Sequence, residues 1–454
     1  MKSILLTTIE IHKYKCIEQP QKLDVDDRVT VLVGKNESGK TAVLQAMAKT
    51  NYFQDDKEFT FSVTEDYPRK ERKEYQKRGE IADVVSSHYK ITPTLLSKIE
   101  EAVGKGTLLQ DSFSIAVDYE NNVEIEGIST AFSAFMKHFV SLEAGLQEKE
   151  RKDLLALDSL SAGEELRNLL IKKQAEEQAA ANERATASGK PAETIATSPL
   201  VPILEKLKAF DTNVDGFDDP LSGYIYTNFI EPLVPKFLYY DEYYELPSRV
   251  DIKRLKSGVR DSENDQTAAA LFELAEIDVK ELLQAESFES YVAELEATGN
   301  YITKELFKYW KTNTELRVRF MIEQVKKAEE ILPYLNIRVE NLKHEMTLPL
   351  GKRSKGFNWF FSFLVWFSKI QEDKSSNYIL LLDEPGLNLH ASAQADLLRY
   401  IDRPVHRGGE HLLHRLGFPS ADTVRRRLRR VAETTESNGE ILVVIAAPNL
   451  AVVG

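Results

Sequence analysis

Among its 454 residues the chain has one cysteine, Cys16. A single thiol excludes an internal disulfide and any zinc site built on cysteines. The expected place for Cys16 is a small buried position, and its scarcity fits a reducing compartment. Long hydrophobic runs are also missing. Met1-Lys-Ser-Ile-Leu-Leu is too short for a secretory signal. The most apolar stretch, Phe357 to Phe367, falls short of a membrane span and is interrupted by Asn358 and Ser362. A soluble, cytoplasmic protein without a membrane partner is expected. Positive charge is in deficit as well. The net charge of -13 excludes a surface that binds polyanions as a whole. Any nucleic-acid site must be a local basic groove. With 42% hydrophobic and 29% charged residues, the length suits one large or two to three ordinary globular domains.

Two motifs stand out against this background. Residues 34–41 read Gly-Lys-Asn-Glu-Ser-Gly-Lys-Thr, which satisfies G-x-x-x-x-G-K-[ST]. Such glycines let the backbone curl so that successive N–H groups face phosphate oxygens. A helix starting near Gly39 adds the positive end of its dipole. The nucleotide-binding set expected here is Gly34, Asn36, Glu37, Ser38, Gly39, Lys40 and Thr41. Lys40 is expected to reach the β- and γ-phosphates of ATP, and the Thr41 hydroxyl to ligate Mg²⁺. The flanks agree: Arg28-Val-Thr-Val-Leu-Val33 is β-branched and apolar, and Thr41–Met47 reads as a helix. The bland alternative is a glycine-containing surface turn.

The second motif is Tyr378-Ile-Leu-Leu-Leu-Asp-Glu384. A continuous apolar run of this kind reads as a central parallel strand buried on both faces. Asp383 at its end is expected to hold Mg²⁺, and Glu384 to orient or deprotonate an attacking water. A strand ending in Asp-Glu is by itself more often a solvated strand end, and the upstream loop gives it weight.

The organisation expected is one ATPase domain interrupted by helices. Residues 1–130 form its N-terminal part, with a first strand near 3–12 and two short strands around Glu120-Asn-Asn122 between Asp111 and Ile128. Residues 131–234 read as a helical insertion, with a low-complexity stretch from Ala175 that suits a helix tip or a linker. Residues 235–264 return to the core, 265–333 read as a helical arm, and 334–402 complete the domain. Residues 403–454 form an atypical arginine-rich tail. The aromatic run Trp359, Phe360, Phe361, Phe363, Trp366, Phe367 and the tyrosines Tyr239, Tyr240, Tyr243 and Tyr244 read as packing.

With both motifs placed, the chain resembles the ABC-type ATPases of the SMC, RecF and OLD (overcoming lysogenization defect) groups. Ile9-Glu-Ile-His-Lys-Tyr-Lys15 resembles the aromatic-basic motif that precedes their phosphate loop, and the loop variant GKNESGKT is similar to that of OLD-type and related AAA ATPases. Arg353-Ser-Lys-Gly356 stands where their signature motif stands, and Asp383 to His390 with Gln394 resembles their extended Walker B and D-loop segment. The resemblance covers about residues 1–70 and 235–400. It implies an α/β fold, a P-loop NTPase of ABC/SMC-like type with a large helical insertion. It implies ATP and Mg²⁺ as cofactors and a homodimer that sandwiches ATP between two heads. One head supplies Lys40, Thr41, Asp383 and Glu384, with Lys15 near the base or ribose. The opposing head supplies Ser354 and the backbone N–H of Gly356. Read without the resemblance, Ser354 and Gly356 are an N-cap and turn before a helix, and His390 is a loop position rather than a metal ligand.

The chain also departs from that pattern. Such ATPases carry a switch histidine about thirty residues after Walker B; here His411 and His414 stand in a different context, and the apolar segment Ile441 to Ile445 has no histidine. After Lys374 there is no lysine, while Arg425, Arg426, Arg427, Arg429 and Arg430 crowd the tail. Two readings stay open: a basic arm for phosphate backbone or an acidic partner, or a tail whose reading frame is damaged after about residue 402. OLD nucleases carry a C-terminal TOPRIM domain; no room for one remains after residue 402, so nuclease activity is not expected of this chain alone. The function expected is ATP hydrolysis in DNA metabolism or anti-phage defence, with DNA and a nuclease or effector as partners. The alternative is a non-hydrolysing nucleotide switch, or a regulatory subunit controlling a partner effector.

Overall fold

A computed structural model describes residues 3–27, 29–35, 37–53, 59–79, 81–188, 191, 194–212, 214, 216–217, 219–240, 245–257, 263–274, 288–311, 313, 315–327, 330–372, 377–383, 385, 389, 393, 397 and 442–447. The chain divides into two units, one of residues 28–55 with 236–454, the other of residues 2–27 with 56–235. The segment 1–130 expected from sequence as one piece is thus shared between them.

The second unit is built on an antiparallel sheet of β1 (Ile4–Ile11), β2 (Gln21–Asp24), β4 (Asp83–Ile91), β5 (Ser112–Asp118) and β6 (Val123–Glu126), in the order β2-β1-β4-β5-β6. Alternation builds β1: Ile4, Leu6, Ile9 and Ile11 are buried, and a register shift between Leu6 and Thr8 keeps both halves facing the core. The β5–β6 turn works as its residues predict. Asn121 takes φ 64°, and Asp118 Oδ1 accepts from the backbone N–H groups of Glu120 and Asn122. Its helices are α2 (Val63–Asp66), α3 (Arg72–Arg78), α4 (Pro93–Val103), α5 (Phe132–Leu142), α6 (Glu148–Leu155), α7 (Leu160–Ser188), α8 (Leu200–Leu207) and α9 (Pro220–Ile225). The alanine-rich stretch from Ala175 continues α7 as far as Ser188. Alanine is the strongest helix former, so helix persists there without a buried face.

Cys16 is exposed, against the buried position expected. Tyr14 and Ile17 bridge each other across a tight turn and turn inward, and Lys15, with φ 51°, and Cys16 are left at its tip.

In the first unit a parallel sheet combines β3 (Val29–Val33), β7 (Lys236–Tyr240), β12 (Tyr378–Asp383) and β13 (Leu442–Ala447), in the order β3-β13-β12-β7. The apolar segment near the chain's end is therefore β13, paired in register with β12 on one side and β3 on the other. Helix α1 (Lys40–Thr50) packs on β7, β12 and β13. It turns Leu44, Met47 and three alanines inward, and the alanines permit close approach. Helices α10 (Ile252–Lys256), α11 (Glu263–Leu274), α12 (Phe288–Tyr309) and α13 (Lys355–Glu372) also belong to the unit. Helix α13 is buried on every side from Phe357 to Trp366, and only Asn358 and Ser362 break its apolar sequence. Its rings meet Tyr240 of β7 edge to face, at centroid distances of 5.7 Å for Trp359 and 5.3 Å for Phe363. Each such fully buried ring contributes roughly 2–3 kcal/mol. The aromatic run as far as Trp366 is thus core.

A second sheet carries β8 (Arg249–Asp251), β9 (Leu316–Lys327), β10 (Glu330–Asn341) and β11 (Met346–Pro349). Here the expected helical arm 265–333 needs correction, because its last part is strand. β9 pairs with β10 from Leu316↔Asn341 to Lys327↔Glu330. The cause is local: Leu316, Val318 and Phe320 are buried, while Arg317, Arg319 and Met321 between them are not, a period of two rather than 3.6. Among the described residues no helix is long and apolar enough to cross a membrane.

Candidate functional site

Four parallel strands send their C-terminal ends to one side of the first unit's sheet, where α/β proteins place ligands. Strand β3 delivers residues 34–39 there. Asp383 pairs with Ala446, and Ala446 pairs with Leu32, so Asp383 and the strand end before the loop stand level, about 10 Å apart across two strand spacings. The structure thus brings Gly34, Lys40, Thr41 and Asp383 to the same end of one sheet.

The loop's shape follows from its residues. Gly39 has φ 91° and forms the N-cap of α1, a left-handed conformation that costs glycine nothing. A Cβ on Gly34 would stand 2.5 Å from Ser38 Oγ, so the loop's two ends close on each other there. Glu37 also takes a positive φ, 63°. The Lys40 ammonium donates to the carbonyls of Gly34 and Lys35, each at 3.0 Å, which holds the cation over the loop. Among the described residues no side chain caps the first turn of α1, and no acidic residue lies in that turn. Its N–H groups and dipole face the loop without a competing carboxylate. Thr41, in that turn, is exposed.

Asp383 is set from the other side. Strand alternation puts Leu380 and Leu382, with Leu238 and Tyr240, on the face that packs on α13. Asp383, Leu381 and Tyr239 therefore face the α1 side. Tyr239 Oη donates to Asp383 Oδ2 at 3.1 Å. Asp383 Oδ1 is buried and has no hydrogen-bond partner among the described residues. A buried carboxylate oxygen left bare is costly unless a cation or donor completes it. Among the described residues no group of three or more His, Cys, Asp or Glu could hold a metal ion unaided. A hard cation held by one carboxylate, one hydroxyl and phosphate oxygens fits this donor set, since Mg²⁺ keeps few protein ligands.

Of the other residues expected at the site, several fall outside the described residues. Ser354 precedes α13, and its Oγ accepts from the Phe357 N–H at 3.3 Å, an N-cap. Ser354 is exposed and Gly356 is buried in the first turn. Beside them, burial lowers the Arg353 guanidinium from its ordinary value, and its cation sits 5.9 Å from the Phe357 ring centre. Lys15 belongs to the second unit; its N–H donates to Asp66 O at 2.6 Å and its ammonium lies 5.3 Å from the Tyr14 ring. Asn36, Glu384, His390, Gln394, Tyr243, Tyr244, His411, His414 and the arginines 425–430 fall outside the described residues. Sequence reasoning missed Tyr239, which it placed with packing tyrosines. Its role depends on the pairing of β7 with β12, for which one sequence carries no signal.

A family model described as AAA ATPase domain matches residues 5–409. No curated protein matches the chain. Among solved structures it is similar to the Smc head domain of Pyrococcus furiosus with an extended coiled coil bound to the C-terminal domain of ScpA. That match has 12% identity and a TM-score of 0.35, over 98% of this chain and 90% of that one. It is similar to the SMC head domain of Thermotoga maritima at 10% identity and a TM-score of 0.29, over 98% and 89%. It is similar to the recombination mediator protein RecF with ATP at 9% identity and a TM-score of 0.33, over 100% and 94%.

Proposed function

The chain belongs to the AAA ATPase domain family, and from that premise we propose that it binds ATP with Mg²⁺ at residues 34–41 and Asp383 and hydrolyses it. The observation that carries this reading is the level placement of the loop and the half-bare Asp383 carboxylate at one end of a parallel sheet.

In this reading Lys40 exchanges its two loop carbonyls for the β- and γ-phosphates. The first-turn N–H groups of α1 take the remaining phosphate oxygens. Thr41 and Asp383 would hold Mg²⁺, which would supply neutralisation of the phosphate charge. Glu384, next along the chain from Asp383, positions the attacking water and accepts its proton. Water adds to the γ-phosphorus as its bond to the bridging oxygen breaks, giving ADP and phosphate. Lys40 stabilises charge on the transferred group.

The further parts rest on the motif resemblance. A homodimer places Ser354 and the Gly356 N–H of one copy against the γ-phosphate on the other. Action on DNA, membership of the OLD group, a part in anti-phage defence and a cytoplasmic location belong to the same reading.

The test is steady-state phosphate release from ATP with Mg²⁺, with EDTA, and with and without duplex DNA. Mg²⁺-dependent release that duplex DNA stimulates is the expected result. ATP binding without release would leave a nucleotide switch, and absence of ATP binding would overturn the assignment of the site.

A further inference from the structure

Tyr239 is a buried tyrosine bonded to the strand-end carboxylate of Asp383. Tyr239 pairs with Leu381 in the parallel β7–β12 ladder. Asp383 is two residues further along β12, so alternation returns it to the same face as Tyr239. The phenol reaches diagonally forward and donates to Asp383 Oδ2 at 3.1 Å. Tyr239 is 5% exposed, so this donor is held by the core of the sheet.

The consequence is an asymmetric carboxylate. One oxygen is occupied by a donor that cannot swing away, and Oδ1 is buried without a partner among the described residues. A neutral hydroxyl is suited to this task. It fixes the side-chain torsion and leaves the negative charge of Asp383 in place, where a lysine or arginine would neutralise it. Tyr240, the next residue, turns to the opposite face and packs on Trp359 and Phe363.

We infer that Tyr239 is a positioning residue for the metal ion of this site: its hydroxyl holds Asp383 Oδ2 so that Oδ1 is presented to the Mg²⁺ that accompanies the nucleotide. This rests on the assignment of Asp383 above and adds a residue that neither motif contains.

The test uses the full chain and a fluorescent ATP analogue, titrated with Mg²⁺ and separately in EDTA. Tyr239→Phe removes one oxygen and keeps the ring. The Mg²⁺ concentration for half-maximal enhancement of analogue binding is expected to rise roughly tenfold or more, the range seen when such supporting bonds are lost. Binding in EDTA is expected to match wild type. Tyr240→Phe, which removes the neighbouring hydroxyl on the other face, is expected to leave the Mg²⁺ titration unchanged. Tyr239→His, a smaller ring that retains a donor, is expected to recover part of the loss, and it keeps the question answerable if the phenylalanine variant is poorly folded. A Tyr239→Phe chain that melts lower but titrates with Mg²⁺ like wild type overturns the inference, for the bond is then only structural. A wild-type chain whose nucleotide binding ignores Mg²⁺ overturns the site assignment and this inference with it. Wild-type Mg²⁺ dependence beside an unaffected Tyr239→Phe titration removes this inference alone.

Discussion

The Lys40 ammonium donates to the carbonyl of Gly34 at 3.0 Å, closing the loop on itself across six residues. The same ammonium bonds Lys35 O, so its charge is poised over the curl before any phosphate arrives. Lys40→Ala therefore removes both a clamp and a cation. A charge-assisted hydrogen bond to phosphate is worth about 1.5–3 kcal/mol, or roughly ten- to hundredfold in affinity. Isothermal titration with ATP and Mg²⁺ is expected to show a loss in that range. Affinity within twofold of wild type would mean that Lys40 is not at the phosphates.

Gly299, in the middle of α12, lies against β9. A Cβ placed there would stand 2.8 Å from the Val318 carbonyl oxygen. Thr303, one turn on, accepts from the Val318 N–H at 2.9 Å and locks the approach. In an isolated helix Gly→Ala gains about 1 kcal/mol. Here the added methyl meets backbone that cannot rotate aside, and overpacking costs about 1–3 kcal/mol. Gly299→Ala is expected to lower the urea midpoint with an unchanged slope. A raised midpoint would show that helix and strand are free to separate.

What the sequence discloses here is what neighbouring residues determine among themselves. The phosphate loop is legible because Gly34, Gly39, Lys40 and Thr41 fall within eight residues and their spacing is the mechanism. Strand β12 is legible because four consecutive apolar residues end in a carboxylate. Ser354 as an N-cap is legible for the same reason. Strand β9 was hidden by its arginines, whose long stems suit either period, so Arg317 and Arg319 blurred the alternation of Leu316, Val318 and Phe320. The place of β13 between β3 and β12 was not legible, since strand order is set by pairings spanning hundreds of residues. Tyr239 was hidden by its chemistry: a buried tyrosine that packs and one that holds a carboxylate look alike until its neighbour is known.

Ser354 allows capping and catalysis to be separated. Its Oγ accepts from the Phe357 N–H, and removing an N-cap costs about 1 kcal/mol. Ser354→Ala is expected to lose that stability and, in the proposed dimer, a contact to the γ-phosphate. Ser354→Asp restores the cap and interacts well with the helix dipole, but sets a negative charge where the phosphate of the other copy would lie. The aspartate variant is expected to melt like wild type, yet to stay monomeric with ATP and Mg²⁺ by size-exclusion with light scattering. ATP-driven dimerisation of Ser354→Asp at wild-type strength would remove Ser354 from the nucleotide interface.

Glu384 follows Asp383 directly in the chain, and the proposal gives the two carboxylates different tasks. Asp383 holds the metal ion, so losing its charge weakens Mg²⁺-dependent binding. Glu384 acts on water, so losing its charge leaves the bound state intact and removes the base. General-base assistance contributes typically 10²–10⁴-fold to rate. Glu384→Gln is therefore expected to bind ATP with Mg²⁺ as wild type does, while single-turnover phosphate release slows by at least about a hundredfold. The slowed chemistry accumulates the ATP-bound state, so the variant is expected to remain dimeric long after wild type has hydrolysed its ATP and separated. Asp383→Asn is expected to show the opposite division, with weakened Mg²⁺-dependent binding and no trapped dimer. If Glu384→Gln turns over normally, the proton is taken by another group and the assignment of the base is wrong. If both variants simply fail to bind, the two carboxylates share the metal ion, and the division of labour between them does not hold.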